Sequence, residues 1–157
     1  MATLSGLHIE VFAGDAPSPD VGSLLRDAGY IVGMRSLKER PAPGPAHLYI
    51  VDGTGHPDQA LKACQRLRVD QHETYTPILF VTRKDASDAR LASLQCGADT
   101  SLAQPFEPAE LLAQTQALVR IKERQNQLSA RAAEAMHVSQ RLQEANLPRE
   151  FVVQVTL

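Results

Sequence analysis

Tryptophan is absent from this 157-residue chain, and aromatics of any kind make up 4% of it. With a hydrophobic fraction of 43%, the core has to be aliphatic. Cysteine is scarce as well. Cys64 and Cys96 stand inside helical patterns with no second pair and no metal-ligand spacing, so both are expected as buried, reduced thiols of a cytoplasmic protein. No run of about 18 apolar residues occurs, which leaves no candidate transmembrane helix. The first six residues lack a basic stretch followed by an apolar one, so no signal peptide is expected. A net charge of -2 gives neither nucleic acid nor a membrane a surface to bind. His8, His47, His56, His72 and His137 show no ligand spacing. No glycine-rich phosphate loop follows the first strand pattern, so an enzyme or small-ligand binder has little support.

What the chain does contain is alternation. Residues 8–13 read as a strand, and helical spacing of Val21, Leu24 and Leu25 follows over 20–28, stopped by Gly29. Residues 30–34 form a second short strand. Pro41, Pro43 and Pro45 then fall on alternate positions, which rules out more than a turn of helix and predicts a stiff, extended loop. The run 47–51 is mostly apolar and β-favouring and delivers Asp52 to its carboxyl end. A helix over 57–69 starts at Pro57 and puts Leu61, Cys64 and Leu67 on one face. Residues 78–81 form a fourth strand closing on Thr82. A helix capped by Asp85 or Ser87 carries Leu91 and Leu94 as far as Cys96, and Gly97 ends it. Residues 100–103 are a fifth strand ahead of Pro105. Five strands alternating with helices imply a parallel sheet covered on both faces.

Beyond Pro108 there is no glycine or proline until Pro148, and residues 108–146 read as one long helix. Leu118, Ile121, Gln125, Leu128, Ala132, Ala135, Ser139 and Leu142 step alternately by three and four. That is a coiled-coil seam, weakened by Gln125 and Ser139. The division expected is a globular domain over 1–121, a helical linker or coiled coil over 122–147, and a tail or start of a further domain over 148–157. Within that tail, 151–157 is apolar and β-like.

Asp52, Thr82 and the Gln104-Pro105 turn converge at one edge of such a sheet. A carboxylate beside a hydroxyl suits phosphoryl transfer, with the carboxylate as nucleophile. These residues, with Thr76-Pro77-Ile78-Leu79-Phe80-Val81-Thr82, Gly97-Ala98-Asp99, Pro105-Phe106 and Pro108-Ala109-Glu110-Leu111-Leu112, make the chain similar to the receiver domain of bacterial two-component response regulators over 8–121. The resemblance implies an α/β, flavodoxin-like fold of five parallel strands and five helices. It implies that Asp52 is the residue that takes phosphate from a histidine kinase, and that Thr82 is the switch hydroxyl.

The chain departs from that family's pattern at several positions. The two acids that hold Mg²⁺ after the first strand match Ala13 and Gly14; Asp15 serves only if the alignment is shifted. Gln104 stands in place of the lysine, Ser101 in place of the switch aromatic, and Arg83 where a small residue is usual. The proline loop replaces most of the second helix. A degenerate, pseudo-receiver module is therefore expected, with no enzymatic activity and no cofactor. It presents the helix after the fourth strand, the fifth strand and the last helix to a protein partner, and it forms a homodimer through its C-terminal helix. In the alternative, Asp52 is a working phosphoacceptor and Asp15 and Asp52 hold Mg²⁺. Arg83 either folds over Asp52 as a bidentate pair or faces solvent at a helix entrance.

Overall fold

The computed structural model describes residues 6–15, 19–44, 46–71 and 75–156, with side chains described up to residue 143 except at 19 and 20. Residues 1–5, the turn expected over 16–18, Pro45, residues 72–74 with His72, and residue 157 lie outside the described residues. Strands β1 (His8–Ala13), β2 (Ile31–Ser36), β3 (Leu48–Asp52), β4 (Ile78–Arg83) and β5 (Thr100–Gln104) alternate with helices α1 (Pro19–Asp27), α2 (Pro57–Val69), α3 (Ser87–Gln95) and α4 (Pro108–Thr156). Every strand pair is parallel, in the order β2-β1-β3-β4-β5. This is the flavodoxin-like architecture expected. Between β2 and β3 the described residues form no helix but a turn at 37–38 and irregular chain with bends at 39, 43 and 44, so Pro41 and Pro43 exclude helix as expected while the loop is not extended throughout.

Buried strands with apolar side chains on both faces make two separate cores. On one face, Ile9, Val11, Leu48, Ile50, Leu79, Val81 and Leu102 pack under Val21 and Leu25 of α1 and Leu111, Leu118 and Val119 of α4. On the other, Phe12, Tyr49, Val51, Ile78 and Phe80 pack under Ala60, Ala63, Cys64 and Leu67 of α2. Leu37 and Ala46, at the two ends of that irregular segment, belong to this second core. Phe12 and Tyr49 meet edge to face, with centroids 5.7 Å apart and planes at 82°.

The Gly97-Ala98-Asp99 motif works as a structural tie. The Asp99 carboxylate accepts the Ile78 amide at 2.7 Å and Arg68 Nη2 at 2.7 Å, and the Tyr75 hydroxyl also donates to it. Gly97 has φ +110, and a Cβ there would stand 2.9 Å from Arg68 Cγ. Any other residue would be strained and would displace Arg68. Lys122 of α4 is 5% exposed and donates to the carbonyl of the same Tyr75. Burial lowers the pKa of its amine.

Several expectations are corrected. Strand β2 extends to Ser36, two residues past the expected end, because it pairs along the whole of β1. Helix α3 is capped at Ala86 without a side-chain bond, not by Asp85 or Ser87. Its Leu91 and Leu94 are 61% and 42% exposed while Ser93 is buried. The leucines therefore do not form this helix's core face. Helix α4 continues through Pro148 and the 151–156 run to Thr156, where a break and a β-like tail were expected. Extending an existing helix is cheap, whereas a β-segment needs a partner strand. The chain divides into two compact units, Met1–Lys122 and Glu123–Leu157.

Two predictions follow from this packing. Asp99→Ala leaves the Ile78 amide without its acceptor and should cost about 2–3 kcal/mol in urea unfolding. Burial, then the neighbouring Cys96 thiol, pushes Cys64 up to about 12, and burial with the Asp99 bond pushes Tyr75 up to about 12. An unfolded thiol ionises near 8.5 and an unfolded phenol near 10. Above those values the unfolded chain holds fewer protons than the folded one. Stability, read from urea midpoints, should therefore be level through pH 8 and fall as pH rises from there toward 12.

Candidate functional site at the carboxyl edge of the sheet

In an open parallel sheet, ligands and chemistry gather beyond the carboxyl ends of the strands, where the strand order reverses. Here that point lies between β1 and β3. Asp52 ends β3 and is 4% exposed. Thr82, next to last in β4, is 2% exposed. Gln104 ends β5 and pairs in register with Arg83. Asp52, Thr82, Arg83 and Gln104 therefore share one edge, as the sequence reading placed them. Ser101 does not. It lies three residues back along β5, opposite Phe80, and its hydroxyl is buried with no hydrogen-bond partner among the described residues.

The turn after β3 is shaped by its own residues. The amide and the hydroxyl of Thr54 both donate to Asp52 Oδ1, at 3.0 and 2.6 Å, a local side-chain closure typical of Asp two residues before a donor. Gly53 extends the β3–β4 ladder by donating to the Val81 carbonyl at 2.8 Å. A Cβ at Gly53 would come within 2.6 Å of Phe80 Cζ, so the turn passes too close to the core for any other residue.

Opposite, at the end of β1, the chain has Ala13 and Gly14. A Cβ at Gly14 would stand 2.6 Å from His56 Cδ2 and 3.4 Å from its Nε2. The His56 imidazole thus occupies the space into which a side chain at position 14 would project. Asp15 is exposed. Among the described residues no cluster of three or more His, Cys, Asp or Glu side chains is arranged to hold a metal ion. The residues present do not reproduce a two-acid Mg²⁺ cradle, which needs several hard oxygen ligands around one octahedral ion.

The Arg83 guanidinium adopts the second of its two expected arrangements. Its side chain is 66% exposed and lies 3.6 Å from Asp85, itself 77% exposed. It does not fold over Asp52. An open cleft of about 580 Å³ is lined by Arg83, Lys84, Asp85, Gln104 and Pro105. A smaller one of about 280 Å³ lies between the 53–55 turn and the 83–86 turn. Three residues of this edge escaped the sequence reading. Thr54 had a signal, since a hydroxyl two residues after an Asp often closes a turn. His56 was visible beside Pro57 but had nothing to mark it as a neighbour of Gly14. Lys84 was not singled out at all.

Comparison with known proteins agrees with this geometry. Over 76 residues, 48% of its length, the chain is 36% identical to the response regulator ArlR of Staphylococcus epidermidis, matching 33% of that protein. Over 88 residues, 56% of its length, it is 36% identical to the transcriptional regulatory protein QseB of Haemophilus influenzae, matching 37% of it. A CheY-like response regulator receiver domain protein from Methanospirillum hungatei superposes with a TM-score of 0.60 at 18% identity, over 76% of this chain and 98% of that one. The fold is that of a CheY-like receiver domain. A Vibrio cholerae chemotaxis protein, CheY4, superposes at 0.61 with 23% identity, over 71% and 98% of the two chains. A probable two-component response regulator/GGDEF domain protein superposes at 0.64 with 22% identity, over 75% of this chain and 51% of that one. No family model matches the chain. The curated relatives support a response regulator receiver domain over the part they match, the solved structures show the same fold, and the chain spans about a third of the length of the relatives quoted.

One prediction tests how tightly the turn is built. Gly53→Ala drives a methyl group into Phe80 and should destabilise the fold by about 1–3 kcal/mol, measured by urea denaturation.

Proposed function

We propose that this receiver domain is a degenerate one, signalling through protein contacts without metal-dependent phosphorylation. The observation that carries the reading is the imidazole of His56 standing where a side chain from Gly14 would project. A phosphoryl donor is an anion, and its approach to a carboxylate needs a cation to screen both charges. Gly14 is bare of a carboxylate, Gln104 is uncharged and Arg83 is turned toward Asp85, so these positions do not supply the charges that the resemblance places there. Thr54 also engages one oxygen of Asp52 with two donors. This stabilises the carboxylate as it stands and makes that oxygen a poorer nucleophile.

The working surface in this reading is α3, β5 and the start of α4, facing a protein partner. Leu91 and Leu94 of α3, exposed at 61% and 42%, give that surface an apolar centre of the kind interfaces bury. The second unit supports dimerisation. Residues 124–143 of α4 are all exposed, and Leu128, Met136, Val138 and Leu142 are 55–66% exposed along it. A helix of that length with its apolar side chains uncovered is marginal in water, and pairing with a second copy along the Leu128–Ala135–Leu142 stripe would bury them. The chain then reads as the regulatory half of a larger response regulator, in a cytoplasmic setting. A cognate histidine kinase enters only if the alternative holds, in which Asp52 takes phosphate and the exposed Asp15 swings in to share Mg²⁺ with it.

Incubation with a small phosphodonor, with and without Mg²⁺, followed by intact mass measurement, is expected to give no mass gain that Asp52→Asn abolishes. An Asp52-dependent, Mg²⁺-dependent gain would establish the alternative. Light scattering should give twice the chain mass for the full chain and the monomer mass for residues 1–122, a cut that keeps Lys122 on the Tyr75 carbonyl. A monomeric full chain would end the dimer reading.

A further inference from the structure

Glu10 lies in the middle of β1 and is 1% exposed, on the sheet face that carries Phe12 and that α2 partly covers. A buried carboxylate persists only where donors meet it. Arg35 Nε on β2 donates to Oε1 at 3.0 Å. The Ala42 amide donates to both oxygens, at 3.2 Å each. His8 Nε2 stands 3.6 Å away. Neither the carboxyl edge nor the long helix has any use for this group.

What Glu10 does hold is the segment 37–46, in the place of the second helix that the resemblance implied. The two ends of that segment are seated by burial of Leu37 and Ala46. Arg66 Nη2 also donates to the Leu37 carbonyl at 2.7 Å and the Glu39 carbonyl at 3.2 Å. Between these ends, Pro41 and Pro43 have no amide hydrogen. Ala42 is therefore the sole backbone donor over 41–43, and Glu10 is its acceptor. Gly44 turns the chain at φ +117 with nothing within 4 Å of where a Cβ would stand. The middle of the segment is stiff, turns in open space, and hangs on one residue. The β2 end of this face is thinly covered, since Ile31, on the same face as Glu10, is 52% exposed.

We infer that Glu10 is a latch and residues 37–44 of this segment a strap that opens as a unit over the β1–β2 end of the sheet. The inference is independent of whether Asp52 takes phosphate. A glutamine at position 10 tests it with little change of shape. It keeps one acceptor oxygen, which can still serve Arg35, but puts a donor amide in place of one of the two oxygens that share the Ala42 amide, and it removes the charge. Glu10→Gln in the full chain should raise hydrogen exchange at the Ala42 amide, and tryptic cleavage after Lys38, by about tenfold or more, while exchange at Ile50 and Val81 in the sheet changes by less than about twofold. Ala42→Pro is the second variant. It deletes the donor from the strap and leaves the sheet untouched. It should raise cleavage after Lys38 about tenfold, and adding Glu10→Gln to it should bring no further rise. Exchange at Ala42 that stays at the wild-type rate in Glu10→Gln, or that rises only in step with Ile50 and Val81, would overturn the latch. So would an Ala42→Pro chain cut no faster than wild type, or a double variant whose two effects simply add.

Discussion

A carboxylate at the closed end of a parallel sheet has to have its charge answered by something, and at Asp52 the first answer comes from its own turn. Thr54 brings an amide and a hydroxyl to one oxygen, while the Gly53 amide continues the ladder to β4. The turn can hug the sheet this closely only because Gly53 has no side chain to meet Phe80. The geometry of Asp52 is thereby set by backbone and hydroxyl donors, which carry no net charge. Receiver chemistry instead relies on full charges around the same carboxylate, from a metal cradle and a lysine. Gly14 and Gln104 bring neither a carboxylate nor a lysine to this edge, and the His56 imidazole stands beside Gly14.

Elsewhere in the molecule carboxylates tie together parts of the chain that are distant in sequence. Where the fold resembled would place a second helix, an irregular segment has Leu37 and Ala46 buried and is pinned at its middle by Glu10. On the face built over β4 and β5, Asp99 gathers Ile78, Arg68 and Tyr75 into one knot. Glu10 and Asp99 each sit at a seam between elements, with donors drawn from more than one of them. Charge held in this way adds little net stability and a good deal of positional definition.

The fold was legible in the chain because its signals are local. Continuous apolar runs ending in a turn residue mark buried parallel strands, and Gly29 and Gly97 mark helix ends, with φ +100 and +110. The prolines at 41 and 43 correctly announced a missing helix. Misreadings arose where the decisive partner was distant in sequence. Leu91 and Leu94 of α3 lie exposed, and apolar spacing alone cannot tell a buried face from an exposed one. The length of β2 depends on β1, and the end of α4 depends on what competes with helix beyond Asn146.

The sequence by itself determined the order and type of the elements, the edge shared by Asp52, Thr82 and Gln104, and the loss of acids at Ala13 and Gly14, since these are properties of runs, turns and residue identity. Only the tertiary structure decided that His56 fills the space above Gly14, that Arg83 turns to Asp85, and that Glu10 reaches across to Ala42. The partners in these contacts are brought together by the crossovers of the sheet and by side-chain rotamers, neither of which leaves a mark in the spacing of residues along the chain.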